Sequence, residues 1–274
     1  MKQNLHTHTR HCDGKHTPSE MIEFALAQGF DSLGFSSHSP TVLRDLKCEL
    51  RDEPAYREEI ALLKKQKEGE IEILLGIEAD YYTENCIDAS IYDYAIAGVH
   101  YYRHPSGELM AYDFSTEKTR LYINELYGGD AIKYAKDYYE LLSHLGERCP
   151  YASFFAHVDL LTKFSERDTT LIDEQNAEYR KAALSAVESL IKTSEFFEVN
   201  TGAISRGYRT TPYPAPFLLR GMRDMGCKFL LSSDCHNGNF LDCHFNESKQ
   251  LLLANGIDTL YFLKGGQFVG EKIK

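Results

Sequence analysis

The sequence predicts an α/β barrel, in which seven or eight parallel strands alternate with helices. Short apolar runs alternate along the chain with longer stretches of helical periodicity, a pattern typical of βα units around a parallel sheet. The length of 274 residues suits a barrel built as a single domain. Histidines and carboxylates follow nearly every apolar run, where active sites of such barrels lie. We therefore expect one domain spanning residues 1–274.

The first unit combines a brief strand with a helix whose start is well marked. Residues Leu5–His8 predict the strand. Thr17 can cap the helix that follows, Pro18 suits its first position, and Glu20 completes a capping box. The helical pattern then continues and ends near Gly29.

The same alternation continues to the end of the chain. Strands are predicted for SLGFSS (32–37), IEILLGI (71–77), YAIAGV (94–99), ASFFA (152–156), FFEVN (196–200) and KFLLSS (228–233). Helices are predicted over 53–68, 130–145 and 174–192, and from near Pro214 and Asn246. A last strand, TLYFL (259–263), is followed by a Gly-Gly turn.

Composition narrows the class of partner. The net charge of −11 argues against a nucleic-acid partner, because phosphate backbones are held by an excess of Lys and Arg. The seven cysteines form no Cys-x-x-Cys pair and are odd in number, so a secreted disulfide framework is not expected. Neither a signal region nor a membrane span is apparent in the sequence. We expect a soluble cytoplasmic protein without a membrane partner; the oligomeric state is not readable.

Polar side chains follow the predicted strands, and parallel strands bring such positions to one rim of a barrel. They are His6, His8, His38, Glu78, His100, His157, Asn200, Asp234 and His236. His6 and His8 point the same way if they lie on one strand, because strand side chains alternate. Imidazoles with a few carboxylates suit Zn, Fe or Mn better than Ca or Mg. The pattern therefore predicts a transition-metal centre.

Seven motifs, in order over nearly the whole chain, resemble the PHP (polymerase and histidinol phosphatase) family. They are LHTHT, CDG, FSSHSP, GIEADY, AGVHYY, AHVDLLTKF and SSDCHN. The resemblance implies a distorted (β/α)7 barrel, similar to a TIM barrel, with up to three metal ions at the C-terminal ends of the strands. One departure is Cys235, where the family more often has Ala.

Four longer segments resemble the stand-alone histidinol-phosphate phosphatase branch of this family. They are CDGKHTPSEM, ELYGGDAIKYAKDYYELL, HVDLLTKF and EVNTGAISRGYRTTPYP. The resemblance implies a phosphoric monoester hydrolase that converts L-histidinol phosphate to L-histidinol and phosphate in histidine biosynthesis. It implies two to three divalent ions, Zn, Fe or Mn, as cofactors.

The resemblance also implies which residues hold each ion. The first ion would take His6, His8, Glu78 and Asp234; the second Glu78, His100 and His157; the third Asp13, His38 and His236. His16 competes with Asp13, since some relatives use a histidine in this loop. His11 and Cys12 are then bystanders or outer groups.

We expect hydrolysis by a hydroxide that bridges the first two ions of this trinuclear site. Asp234 would move the proton towards the leaving alkoxide, and His236 would act first as a ligand and only indirectly as an acid. Arg206 and Lys163 are the candidate phosphate contacts, since guanidinium and ammonium groups match phosphate.

The long segment between His100 and Asp130 is aromatic and polar, and it offers contacts for the rest of the substrate. Tyr101, Tyr102 and Asp113 are candidates, although core packing or loop anchoring is at least an equal alternative for each.

Three other functions fit parts of the pattern. A phosphoesterase of the same family could act on a nucleotide or an oligonucleotide end, although the chain lacks a basic stripe. A metal amidohydrolase also begins with His-x-His, but Glu78 occupies the position at which that family typically has a bridging Lys. A metal-storage or metal-stabilised protein is disfavoured, because structural zinc sites are closed and often rich in thiolates.

Overall fold

The computed structural model describes residues 1–42, 47–83 and 87–274. Within these residues the chain forms eleven strands. They are β1 (Gln3–Asn4), β2 (Ser32–His38), β3 (Glu72–Asp80), β4 (Tyr94–Gly98), β5 (Tyr101–Arg103), β6 (Leu109–Ala111), β7 (Phe154–Phe155), β8 (Phe196–Asn200), β9 (Lys228–Ser232), β10 (Thr259–Lys264) and β11 (Gln267–Lys272).

Seven of these strands form one parallel sheet that nearly closes as a barrel. Their order is β1-β2-β3-β4-β7-β8-β9. Beyond the two outer strands, Thr7 pairs in parallel with Cys235. Two backbone hydrogen bonds make this closing bridge, from His8 N to Cys235 O at 2.8 Å and from Cys235 N to His6 O at 2.9 Å. The predicted α/β barrel is therefore confirmed, with seven strands.

Helices connect most of the strands. In the described residues they are α1 (Pro18–Ala27), α2 (Glu53–Gln66), α3 (Thr116–Tyr127), α4 (Ala131–Ser143), α5 (Leu145–Arg148), α6 (Ala177–Leu190), α7 (Gly202–Ser205), α8 (Pro216–Asp224) and α9 (Phe245–Ala254). Short 3-10 turns cover Ala89–Ile91, Leu160–Thr162 and Gly238–Phe240. The predicted capping box is confirmed, since Thr17 accepts from Glu20 N and Glu20 accepts from Thr17 N.

The first strand lies earlier than predicted. Strand pairing of β1 ends at Asn4 rather than covering Leu5–His8. After β1 the backbone turns to side-chain partners: His6 N donates to Asn4 Oδ1 at 3.0 Å, and Thr7 N donates to Ser36 Oγ at 3.1 Å. These side chains take two of the backbone N–H groups, although Ser36 N still donates to Thr7 O at 2.9 Å. Regular strand pairing therefore ends before the histidines, which remain buried.

Other differences concern elements added to the barrel. The segment after His100 contains the antiparallel hairpin β5-β6 and helix α3, for which no element was predicted. The predicted last strand is β10, but it pairs antiparallel with β11 and forms a separate hairpin. Helix α8 begins at Pro216 rather than near Pro214, because Tyr213 is still held by backbone hydrogen bonds to Asn200.

The described residues contain neither a disulfide nor a membrane-spanning helix. Their cysteines form no disulfide, and Cys86 lies outside these residues. None of the described helices has the length and apolar character needed to cross a bilayer.

The Tyr94 side chain crosses the interior of the barrel. Tyr94 of β4 lies beside Gly76 in the ladder, and a Cβ at Gly76 would lie 2.3 Å from the Tyr94 ring. A Cβ at Gly34 would lie 2.3 Å from the Tyr94 hydroxyl. That hydroxyl donates to Leu5 O at 2.5 Å. Two glycines thus leave the space through which Tyr94 reaches from β4 to the chain beyond β1.

We predict that Gly34→Ala and Gly76→Ala each lower the free energy of unfolding by about 1–3 kcal/mol, the usual cost of overfilling a packed interior. Tyr94→Phe removes the nearest atom that the new methyl group at residue 34 would meet, whereas the methyl group at residue 76 still meets the ring at its nearest distance. In a double-mutant cycle measured by urea unfolding, Tyr94→Phe should therefore offset part of the Gly34→Ala loss only. Equal recovery in both backgrounds would contradict this account.

Candidate metal centre

Glu78 occupies the middle of the rim, with imidazoles on both of its carboxylate oxygens. Oε1 lies 3.2 Å from the Nε2 atoms of His100 and His157. Oε2 faces three further imidazoles, at 2.9 Å from His38 Nδ1, 3.2 Å from His6 Nε2 and 3.4 Å from His8 Nε2. Five histidines from separate parts of the chain therefore converge on one buried carboxylate.

Strand register and open space place these groups. His38 and Glu78 are direct neighbours in the ladder between β2 and β3. A Cβ at Gly98 would lie 2.8 Å from His157 Cε1 and 3.3 Å from His100 Cε1, so the glycine makes room for both rings. His157 and Asp234 have positive φ angles of 27° and 47°, a strained conformation that clusters at functional sites.

The structure brings together all nine residues proposed as metal ligands. They form four overlapping groups, each with its ligand atoms within 4.8 Å of one another: His8, Asp13, His38 and His236; His6, His157 and Asp234; His6, His8 and Glu78; and His38, Glu78 and His100. Asp234 Oδ1 also lies 3.4 Å from His8 Nε2. How the nine residues divide between ions stays a prediction.

The pKa values of the cluster reflect opposite charges buried close together. Burial alone would lower the pKa of His6, but Glu198, Glu78 and Asp234 raise it well above 6.5. Burial alone would raise the pKa of Glu78, but the surrounding His6, His38 and His100 hold it well below 4.5. His8 behaves oppositely to His6: burial, with His236 and His38 nearby, lowers its pKa to about 3.

Two buried ring nitrogens test whether these residues fit metal ions. His6 Nε2 and His8 Nε2 are excluded from solvent and have no hydrogen-bond partner. Buried polar atoms are nearly always paired, and an unpaired imidazole nitrogen beside carboxylates is a suitable donor for a divalent transition metal. The donor set therefore fits Zn, Fe or Mn.

The loop HTHTRHCDGKH separates into residues at the cluster and residues turned away from it. Asp13 Oδ1 lies 3.4 Å from His236 Nε2 and 3.8 Å from His38 Nε2. His16 instead contacts Asn237 at 3.3 Å, and His11 contacts Glu59 at 2.7 Å. The geometry favours Asp13 over His16 as the ligand from this loop.

A cavity of about 790 Å³ opens beside the cluster. Six of the nine candidate ligands line it: Asp13, His38, His100, His157, Asp234 and His236. The β5-β6 hairpin and the exposed Phe114 that follows it also line the cavity. Polar and apolar side chains therefore line the same cavity.

Both candidate phosphate contacts line this cavity, and both already have acidic partners. Arg206 Nη2 donates to Asp234 Oδ2 at 2.9 Å, and Nη1 donates to Asp234 O at 3.1 Å. Lys163 Nζ donates to Asp113 Oδ2 at 2.8 Å. Burial alone would raise the pKa of Asp113, but Lys163 lowers that pKa to about 2.

Only some of the candidate contacts for the rest of the substrate line the cavity. Tyr101 and Asp113 line the cavity, and the Tyr101 hydroxyl lies 3.2 Å from Cys48 Sγ. Tyr102 does not line it. Its ring packs against Tyr112 and Tyr122 in the core, so the structure favours the packing alternative for Tyr102.

Two carboxylates behind the imidazoles were not singled out from the sequence. Glu198 Oε1 lies 2.7 Å from His6 Nδ1, and Asp80 Oδ2 lies 3.3 Å from His100 Nδ1. The signal for Glu198 is a charge inside the apolar run FFEVN, and for Asp80 it is the second acid in GIEADY.

Comparisons with known proteins agree with the sequence motifs. The model of the PHP domain family matches residues 4–202. A protein named probable histidinol-phosphatase from Deinococcus radiodurans is 27% identical over 270 residues, which cover 94% of this chain and 95% of that protein. A relative with the same name from Schizosaccharomyces pombe is 25% identical, with 93% of this chain and 86% of that protein covered. A Bacillus subtilis protein named histidinol-phosphatase is 25% identical, with coverages of 86% and 93%.

Solved structures support the fold. A structure from Listeria monocytogenes superposes with a TM-score of 0.71 at 20% identity and covers 90% of this chain and 99% of its own. The histidinol phosphate phosphatase of Lactococcus lactis subsp. lactis, solved with zinc, L-histidinol and phosphate, superposes with a TM-score of 0.69 at 18% identity and 98% coverage of both chains.

We predict that Gly98→Ala displaces the rings of His157 and His100, because the added Cβ would lie 2.8 and 3.3 Å from their Cε1 atoms. Zinc bound per chain after dialysis, measured by atomic emission, should fall while the circular dichroism spectrum is retained. Gly270→Ala on the exposed strand β11 is the matched control. Equal zinc content in both variants would contradict the role assigned to Gly98.

Proposed function

The chain belongs to the PHP domain family, and from this premise we propose that it hydrolyses L-histidinol phosphate to L-histidinol and phosphate. The observation that carries the proposal is a cavity that joins a cluster of imidazoles and carboxylates to a guanidinium and apolar side chains. The curated relatives named for this activity, which align over most of their length, support the choice of substrate.

We assign three groups of side chains to divalent ions. The first is His6, His8, Glu78 and Asp234; the second is Glu78, His100 and His157; the third is Asp13, His38 and His236. Zinc in the Lactococcus lactis structure supports a divalent metal. When bound, such ions neutralise phosphate charge and lower the pKa of water.

Asp234 holds a position suited to proton transfer. Its Oδ1 faces His6, His8 and His236 at 3.4–3.7 Å, and its Oδ2 accepts from Arg206. Because the guanidinium occupies Oδ2, Oδ1 is the oxygen that faces both the proposed ions and the nucleophile, and we assign to it the transfer of a proton from the nucleophile to the leaving alkoxide. His236, whose Nδ1 lies 3.0 Å from Asp234 O, steadies this arrangement and acts on the proton only indirectly.

We assign phosphate binding to Arg206 and Lys163, two of the cationic side chains that line the cavity together with Lys47 and Lys118. A guanidinium binds phosphate oxygens through two parallel N–H donors, and Arg206 presents its group at the cavity wall beside Asp234. The Lys163 ammonium group is paired with the Asp113 carboxylate, which offsets part of its positive charge. We assign phosphate binding to Arg206 first and to Lys163 second, and we place the amine and imidazole of the substrate near Tyr101 and Asp113.

The test of the function is turnover by protein reconstituted with Zn, Fe or Mn. L-Histidinol phosphate should be hydrolysed with a kcat/KM well above those for AMP and a short single-stranded oligonucleotide, and a chelator should abolish turnover until metal is restored. A preference for AMP or the oligonucleotide would contradict the proposed substrate but would still support a phosphoesterase. Failure to hydrolyse any phosphomonoester would sink the enzyme proposal.

Arg206→Ala should raise KM and lower kcat together, because the variant loses a phosphate contact and frees Asp234 Oδ2. Hydrogen bonds to charged groups are worth about 1.5–3 kcal/mol, or roughly tenfold or more in kcat/KM. Arg206→Lys should recover part of the loss. The control is Arg167→Ala, which removes an exposed arginine that donates to Gly207 O in the same region. Unchanged kinetics in Arg206→Ala would refute the assignment of Arg206 to phosphate binding and to the support of Asp234.

A further inference from the structure

Glu198 lies behind the metal centre and has partners on both carboxylate oxygens. Oε1 is 2.7 Å from His6 Nδ1. Oε2 accepts from the backbone N–H of His157 at 3.2 Å and from Asn200 Nδ2 at 2.9 Å. Its side chain is fully buried. One carboxylate thus contacts two candidate ligands that stand far apart in the sequence.

This contact decides which nitrogen of His6 is free. An ionised carboxylate only accepts hydrogen bonds, so its short contact with Nδ1 requires the proton of the ring on Nδ1. In the neutral ring, the form that binds a metal ion, Nε2 then carries the lone pair. That nitrogen is buried without a hydrogen-bond partner and lies 3.2 Å from Glu78 Oε2, so its lone pair is aimed at the cluster.

We propose that Glu198 is a positioning residue that fixes His6 in the Nδ1–H tautomer and aims Nε2 at a divalent metal ion. Carboxylates that hold a ligating histidine in this way orient the ring and make it a stronger donor. Asn200 completes the arrangement, since its Nδ2 holds Glu198 and its Oδ1 accepts from Gly202 N at 2.8 Å. The inference rests on the proposed metal binding but not on the identity of the substrate.

Glutamine cannot replace the Glu198 carboxylate. With its oxygen towards His6, the amide of Glu198→Gln would set its NH₂ against two donors, His157 N–H and Asn200 Nδ2. With the amide reversed, its NH₂ would face His6 Nδ1 and draw the ring proton to Nε2, which removes the metal donor. Either orientation weakens the site.

Glu198→Gln should therefore weaken zinc binding by about 10–100-fold, the usual cost of losing a carboxylate behind a ligating histidine. Affinity is measured by competition with a chromophoric chelator, without substrate. Glu49→Gln is the matched control, because Glu49 is also buried and accepts from a backbone N–H, that of Thr41, at 2.7 Å. Its zinc affinity should equal that of the unmodified chain.

The outcomes separate a positioning role from a structural one. Weaker zinc binding in Glu198→Gln, with the unfolding temperature of the metal-free protein close to that of Glu49→Gln, supports the proposal. A lower unfolding temperature with unchanged zinc affinity overturns it. If zinc affinity falls as expected but the unmodified enzyme does not hydrolyse histidinol phosphate, the proposed substrate fails and this inference stands.

A second measurement needs no folded variant of Glu198. In the zinc-loaded chain with isotope-labelled histidine, nuclear magnetic resonance should show His6 protonated on Nδ1 and bound to metal through Nε2. The His6 signals are assigned by their loss in His6→Asn. Metal coordination through Nδ1, or a proton on Nε2, overturns the proposal.

Discussion

The Glu78 carboxylate is the constraint on which the rest of the site depends. It lies on β3 with five imidazoles around it, and burial makes any uncompensated charge there costly. The histidines come from the chain beyond β1, from β2, and from the segments after β4 and β7. A barrel is suited to this task, because its parallel strands present their C-terminal ends to one rim.

Much of this arrangement was predictable from local patterns. Alternation of apolar runs and helical stretches was sufficient for the barrel, and the cap at Thr17 located a helix to within a residue. The convergence of His38, Glu78 and Asp234 follows from topology alone, because strand ends meet whatever their separation in sequence. Their chemistry could therefore be placed before any distance was known.

What could not be predicted depends on contacts between segments without a local signal. Glu198 has no recognisable partner in the sequence, because it is a single acid inside an apolar strand, and only the fold brings it to His6. The β5-β6 hairpin has strands of three residues, too short for periodicity to identify. Tyr101 and Tyr102 are the same residue type in adjacent positions, so the sequence does not distinguish them. Side chains alternate along a strand of the hairpin, and therefore Tyr101 faces the cavity while Tyr102 packs in the core.

The bridge between Thr7 and Cys235 has a thermodynamic consequence. It joins the two outer edges of the sheet, and its flanking residues are His6 and His8 on one side and Asp234 and His236 on the other. An ion held across this seam would also hold the barrel shut, so binding free energy would appear as resistance of the seam to opening. Reciprocally, any strain that parts the seam would lower the affinity for the ion. Retention of the ion and closure of the barrel would then be governed by the same equilibrium.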